Sequence, residues 1–359
     1  MLRPAVFASS LALIAACADA DQSPIEASAP PRLARSVADA STQAGHVDAL
    51  ADDAATHPED AAWLLEDAAV APPSAPTAPS APSAGGRPSG VATCYSALSS
   101  SHPATTGFWA ALRAGDLEGR PRAIEALTAA AAEYPNEEEF ALLLGLAHLW
   151  RVAEPNVTEL FDFAGLLSAV DTTRAELERA AALCPTDHRI AAWLGPVLIR
   201  SGRMANDPAE IDRGMAILDA GIEAYPAFVL FSKVLVYADQ PADDPDFVRA
   251  VEAITANIGA CGPTDPACGN HPKVAHNLEG SAVFLGDVYA KAGDRARALA
   301  AYQGARASAD YASWDYDAVL SARISALDLH MASARNENPF DDPQWAWSTS
   351  FQCSICHRE

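Results

Sequence analysis

The chain has 359 residues, a formal net charge of −23 and a sequence pI near 4.6. This charge argues against nucleic acid as a partner, since the phosphates would be repelled, and against anionic lipid bound through the protein surface. No paired carboxylates, nucleophile elbow or phosphate loop occurs at an informative spacing, so no catalytic site is predicted.

The first 17 residues carry an export signal. Arg3 precedes an apolar stretch, Ala5 to Ala16, that is too short to span a bilayer and fits a signal-peptide core. Its end, Leu13-Ile14-Ala15-Ala16-Cys17, resembles the lipobox of bacterial lipoproteins. The resemblance implies that residues 1–16 are removed and that Cys17 carries a lipid anchor in the cell envelope. By resemblance to enteric lipoproteins, the absence of Asp at position 18, where Ala18 stands, favours the outer membrane. An ordinary secretory signal is the alternative.

Residues 17–93 are rich in Ala, Pro, Ser and Asp. Within them, residues 71–82 hold five prolines, which bias the backbone towards extended polyproline II. We predict a disordered acidic tether between the membrane and the folded domain. Residues 47–70 are its one apolar piece and could form a short amphipathic helix.

Residues 94–334 have Ala- and Leu-rich helical periodicity and almost no strand signal, which predicts an all-α domain. Three prolines, Pro135, Pro185 and Pro226, each close a predicted helix. Nine residues after them come Leu144-Gly145, Leu194-Gly195 and Leu235-Val236. Small residues at such positions let neighbouring helices approach closely, which indicates repeated helical hairpins.

The clearest unit is Leu285-Gly286-Asp287-Val288-Tyr289-Ala290-Lys291-Ala292-Gly293-Asp294, followed by Ala298, Tyr302 and Ala305. It resembles the tetratricopeptide repeat. The resemblance implies an α-solenoid of antiparallel hairpins whose concave groove holds a protein or peptide. Insertions at residues 206–213 and 240–246 interrupt the period. A generic all-helical domain is the alternative.

Four cysteines in the predicted domain suggest two disulfides in an exported protein. Cys261 and Cys268 flank a turn-rich loop that could close on itself, which would leave Cys94 to pair with Cys184. Metal binding is the alternative, because His271 and His276 follow the loop. Their i, i+5 spacing does not place both on one helix face, so disulfides are favoured.

Residues 335–359 form a predicted irregular, aromatic-rich tail that ends in Cys353-Ser354-Ile355-Cys356-His357. C-x-x-C-H is the attachment signature of c-type haem. The two thiols would form thioethers to one porphyrin, and His357 would be an axial ligand of the iron. A structural or redox disulfide, or part of a zinc site, are the alternatives.

Soluble class I cytochromes c carry a methionine as the sixth iron ligand far downstream of the motif. Only two residues follow His357 here, so a sixth ligand would have to come from upstream. His330 is the leading candidate, at the end of a helix predicted over residues 318–334. Other candidates are Met331, His148, His271 and His276. The tail aromatics Phe340, Trp345, Trp347 and Phe351 could cover the porphyrin or fasten the tail to the repeats.

Two functions follow. The first is a membrane-anchored monohaem protein that transfers electrons within a periplasmic redox complex, with the repeats supplying the partner surface. The second is a non-redox interaction scaffold whose terminal C-x-x-C forms a disulfide.

Overall fold

A computed structural model describes residue 94 and residues 96–156, 158–261, 276–336, 343–349 and 351–358. That part of the chain is all-helical and has no strand, which confirms the predicted fold class at that level. None of its helices is long and apolar enough to cross a membrane. The expectations for residues 1–93, Cys268, His271 and Phe340 lie outside the described residues.

Fourteen α-helices form in the described ranges. They are α1 (Ala97–Ser101), α2 (Pro103–Arg113), α3 (Arg120–Glu133), α4 (Glu138–Ala153), α5 (Phe163–Leu183), α6 (Arg189–Ala205), α7 (Pro208–Ala224), α8 (Pro226–Tyr237), α9 (Pro245–Cys261), α10 (Asn277–Ala292), α11 (Arg295–Arg306), α12 (Asp317–Ser325), α13 (Leu327–Ser333) and α14 (Ser354–His357). Short 3₁₀ turns form at Glu159–Phe161, Tyr311–Ser313 and Ala346–Ser348.

Helices that follow one another in the chain pack as pairs, and glycine permits the closest contacts. A Cβ atom on Gly145 would lie 3.0 Å from Leu177 Cγ. One on Gly195 would lie 2.5 Å from Leu218 Cγ. A Cβ on Gly286 would lie 2.1 Å from the Tyr302 ring. The Leu-Gly positions therefore mark where α4 meets α5, α6 meets α7 and α10 meets α11.

Most of residues 206–213, the expected insertion into the repeat period, are helical. Only Asn206 and Asp207 lie between α6 and α7. Asn206 ends α6 in the left-handed region at φ 53°, and Asp207 caps α7 by accepting hydrogen bonds from the amides of Ala209 and Glu210. Pro208 at the first helical position restarts the helix, because it needs no amide partner there.

The helix predicted over residues 318–334 is two helices, α12 and α13, which meet at Ala326. Ala326 has φ −105° and ψ 15°, outside helical geometry. The Ser325 hydroxyl donates to the carbonyl of Ala322, a local bond that competes with helix continuation. Leu320 and Leu327, on either side of the break, are both fully buried.

Across the described residues, the core is a series of four apolar clusters that follow the chain. The first joins α2, α3 and α4, the second joins α4, α5 and α6, and the third joins α6, α7 and α8. The last is the largest and joins α8 through α13 to the tail. Each helix pair thus buries its apolar face mainly against its neighbours in sequence.

A disulfide holds the start of the fold. Cys94 and Cys184 are bonded, with their Cα atoms 5.6 Å apart, which is the pairing that the loop argument favoured. The amide of Cys94 donates to Glu138 Oε2 at 3.3 Å, and the amide of Ser96 donates to Glu137. The disulfide therefore ties the first residues of the domain to the C-terminal end of α5 and the start of α4.

Candidate functional site

The C-x-x-C-H segment forms the short helix α14, which contacts both α2 and α10. Cys353 packs against the first apolar cluster, whereas Ile355 and Cys356 pack in the last one. Ile355 is completely buried. The described residues of the tail form a 3₁₀ turn at Ala346–Ser348 and the helix α14, which contacts a helix near each end of the helical array.

Glu154, at the end of α4, holds the N-terminus of α14. It accepts hydrogen bonds from the amides of Cys353 and Ser354 at 2.7 and 2.8 Å, and from the Ser354 hydroxyl at 2.7 Å. The Trp150 indole donates to the same carboxylate at 3.0 Å. Because Glu154 is only 1% exposed, these four donors replace the water that its charge would otherwise need.

The other end of α14 is held by α10 and the segment before α12. The backbone amide of His276 donates to the carbonyl of Cys356 at 2.8 Å. The Trp314 indole donates to the carbonyl of Ile355 at the same distance. A Cβ atom on Gly280 would lie 2.3 Å from Cys356 Sγ and 2.8 Å from Ile355 O. The Cys356 sulfur therefore rests directly on α10, and only glycine leaves room for it.

Both cysteines of α14 are free thiols and partly buried. Burial, reinforced by the Glu154 carboxylate, raises the pKa of the Cys353 thiol well above its ordinary value. Burial and the Glu279 carboxylate raise the pKa of Cys356 to about 12. Both sulfurs are therefore protonated at neutral pH, and a thiol is a far poorer nucleophile than a thiolate.

His357 lies against α2. Its ring centroid is 6.3 Å from that of Trp109, with the planes tilted by 32°. Burial, and then the nearby Arg113 guanidinium, lower the pKa of His357 to about 4. The imidazole is therefore neutral at physiological pH, which is the form that binds metal.

The segment before α14 is anchored by Asp287, a fully buried residue of α10. It accepts hydrogen bonds from Tyr302 Oη at 2.7 Å, Arg323 Nε at 2.9 Å and the Ala346 amide at 2.7 Å. Burial raises the pKa of Asp287, although Arg323 opposes this shift. Trp345 and Trp347 stack beside it, 5.4 Å apart, and are both buried. These tail aromatics thus pack into the last apolar cluster of the array.

A c-type haem on α14 would have to displace contacts that the docked helix makes. Cys353, Cys356 and His357 stand at i, i+3 and i+4, so they share one side of the helix, as attachment to one porphyrin requires. On that side, however, Cys353 contacts the first cluster, Cys356 contacts α10 and His357 contacts Trp109.

The proposed sixth ligands are dispersed. His330 lies in α13, where its ring contacts Trp345 and burial lowers its pKa. Met331 packs against the last cluster, and His148 is partly buried in α4. His276 alone contacts α14, and it does so through its backbone amide. In the described residues, no group of three His, Cys, Asp or Glu side chains could hold a metal ion.

Sequence reasoning missed the two carboxylates that fix the tail. Asp287 stands in the Leu-Gly-Asp unit that suggested a repeat, but nothing there signals a partner in the tail. In the sequence alone, Glu154 cannot be distinguished from a surface glutamate at the end of a helix. One local signal existed for Glu154: the next residue is Pro155, which ends the helix and leaves the side chain at a helix terminus.

Comparison with protein-family models, curated proteins and solved structures finds no match for this chain.

Proposed function

We propose that this chain is a membrane-anchored helical-repeat protein that binds another protein in a bacterial cell envelope. The glycine-mediated helix pairs support a likeness to the tetratricopeptide repeat. The lipobox-like segment ending at Cys17 supports export and anchoring. Repeat arrays of this kind bind peptides and partner helices on extended surfaces. We assign no enzymatic activity, because the fold alone does not supply one.

The observation that carries the proposal is an exposed apolar turn between α4 and α5. Leu160, Phe161 and Phe163 are 37%, 82% and 47% exposed, so three large apolar side chains within four residues face solvent. Isolated exposed apolar residues are common on protein surfaces, but a contiguous group marks a binding site. Aromatic anchors of this kind supply much of the affinity of protein interfaces.

Hydrogen bonds and ion pairs on the buried side of the apolar turn hold it in place. Arg120 is completely buried, donates to the Glu154 carbonyl at 2.6 Å and forms an ion pair with Glu159. Arg151 bridges Glu159 and Asp162 at 3.0 and 3.1 Å. These bonds fix the turn before any partner arrives. A rigid surface loses less conformational entropy on binding, which favours affinity.

The test is site-specific cross-linking of the tagged full-length protein in its native host. We expect a photoreactive residue at position 160, which is the same in the wild type and in both variants, to capture a discrete partner. The double variant Phe161→Asp, Phe163→Asp should lose the partner, because two charges then replace the apolar anchors. Leu329→Asp is the matched control: Leu329 is 67% exposed on α13, and its replacement should leave binding unchanged. Equal recovery of the partner by all three proteins would exclude the apolar turn as its binding site.

A covalent c-type haem is the second candidate, favoured by the free thiols and the neutral His357 on one side of α14. If the haem is bound, it supplies one-electron chemistry, and the protein is an electron-transfer component. Because Cys353, Cys356 and His357 contact the helical array in the docked helix, this function requires another arrangement of the tail. Intact mass and a visible spectrum of protein from a host that attaches c-type haem decide the matter. A chain without the added mass of one haem excludes it.

A further inference from the structure

The two cysteines of the C-x-x-C-H segment are partly buried by the docking of the tail, and they belong to different contacts. Cys353 is held against the first cluster, with its amide bonded to Glu154. Cys356 rests on α10 at Gly280, with its carbonyl bonded to His276. A reagent can therefore approach these sulfurs freely only when α14 leaves both surfaces.

We propose that docking of α14 gates a dithiol switch: the pair Cys353 and Cys356 is reduced and unreactive while docked, and forms a disulfide when the tail is released. Residues three apart in a helix have Cα atoms about 5 Å apart, within the range of disulfides. The bond can thus form without unwinding α14. This inference concerns the tail alone and does not depend on the partner-binding function.

The co-reactant is an oxidised dithiol, such as a disulfide oxidoreductase of an exporting cell. One released thiol loses its proton and attacks the disulfide of the co-reactant, forming a mixed disulfide and releasing one thiolate. The second thiol then attacks its neighbour's sulfur and releases the other thiolate. Two electrons and two protons pass to the co-reactant, which leaves as a dithiol, and the tail retains one disulfide.

The disulfide should in turn oppose docking. A disulfide brings the two sulfurs to about 2 Å from each other, and we expect this shift to weaken the contact of Cys353 with the first cluster, that of Cys356 with α10, or both. Oxidation and release therefore favour one another, as thermodynamic linkage requires. Once a partner or a condition has released the tail, the Cys353–Cys356 disulfide would persist and keep the tail released.

Alkylation of the full-length protein with iodoacetamide, resolved by peptide mass spectrometry, tests the gate. Gly280→Ala adds the methyl group that would lie 2.3 Å from Cys356 Sγ, and it should release α14. We expect both tail cysteines to react about tenfold faster or more, since labelling then no longer waits for rare opening. Gly304→Ala in α11 is the matched control, because nothing lies within 4 Å of its added Cβ. It should react at the wild-type rate.

Glu154→Gln releases the tail from its other side and serves as the second variant if Gly280→Ala does not fold. Wild-type cysteines that react as fast as those of a synthetic tail peptide would overturn the gate. Oxidised dithiothreitol is the probe for the switch itself. It should form the Cys353–Cys356 disulfide slowly in the wild type and quickly in Gly280→Ala, and the oxidised tail should become sensitive to protease. An oxidised tail that stays protected would show that the disulfide does not oppose docking.

Discussion

Two buried carboxyl groups hold the tail through hydrogen bonds. Glu154, at the end of α4, accepts two backbone amides of the tail, and Asp287 in α10 accepts one; each also accepts side-chain donors. A buried carboxylate is unfavourable unless it is well hydrogen-bonded, so each site becomes stable only when the tail is in place. This makes docking specific: a shifted tail would leave both charges without their amide partners.

Replacing Glu154 should therefore release the tail and destabilise the fold. Glu154→Ala leaves two amides, a hydroxyl and an indole without their acceptor, which we expect to cost on the order of 3 kcal/mol. Urea unfolding measures the loss as a lower midpoint. Glu125→Ala is the matched control, because Glu125 is exposed on α3 and its removal should change stability by less than about 0.5 kcal/mol. Similar midpoints for the two variants would show that Glu154 does not hold α14.

Within the helical array, glycine sets how closely paired helices approach. At Gly286 an added methyl group would collide with the buried ring of Tyr302, whose hydroxyl is in turn fixed by Asp287. The ring cannot move without breaking that bond. Overpacking of this kind is typically unfavourable even though alanine is the better helix former.

We expect Gly286→Ala to lower the free energy of unfolding by about 1–3 kcal/mol. Gly107→Ala, in α2, adds the same methyl group where nothing lies within 4 Å. It should raise the free energy of unfolding by about 0.5–1 kcal/mol, since alanine loses less backbone entropy in a helix. Thermal and urea melts of both variants provide the measurement. If Gly286→Ala instead raised the free energy of unfolding, α10 and α11 would be packed less tightly than the 2.1 Å approach to the Tyr302 ring implies.

The helical array was predictable because its signals are local. The Leu-Gly pairs, the closing prolines and the 3.6-residue periodicity all act within one or two helices, and the glycines fell at helix contacts. Docking of the tail was not predictable, because Cys353 and Glu154 are separated by 199 residues and no periodic pattern links them. The C-x-x-C-H motif also indicates a chemistry from its own five residues, but it does not indicate which residues surround it in the fold.

At the scale of the whole molecule, the tail changes how stability is shared. A linear array with contacts only between neighbours can lose its terminal repeats separately. Here α14 contacts α2 near one end and α10 near the other, so the first and last clusters share an element. Loss of either cluster removes contacts from the tail, which couples the two ends.

Glu138, near the start of the fold, makes the free energy of unfolding depend on pH. Glu138 is completely buried beside Asp187 and Arg189. Burial, and then the Asp187 carboxyl group, raise the pKa of Glu138 from 4.5 to about 7. The folded state therefore binds this proton more tightly than the unfolded chain does. Its contribution to stability is complete below about pH 4.5 and is lost as pH rises to about 7. The lowered pKa of His357 acts in the opposite direction between about pH 6.5 and 4, so only a comparison of variants isolates Glu138.

Glu138→Gln keeps the shape of the side chain and removes the charge at every pH. Its stability relative to the wild type should rise between pH 4.5 and 7 and then level off, reaching an advantage of about 1–3 kcal/mol at pH 8. Urea unfolding at several pH values measures this difference. Glu137→Gln is the control: hydrogen bonding from the Ser96 amide lowers the pKa of Glu137, so its variant should show no such rise above pH 4.5. Parallel curves for Glu138→Gln and the wild type would mean that Glu138 is ionised in the folded protein, and that Arg189 outweighs both burial and Asp187.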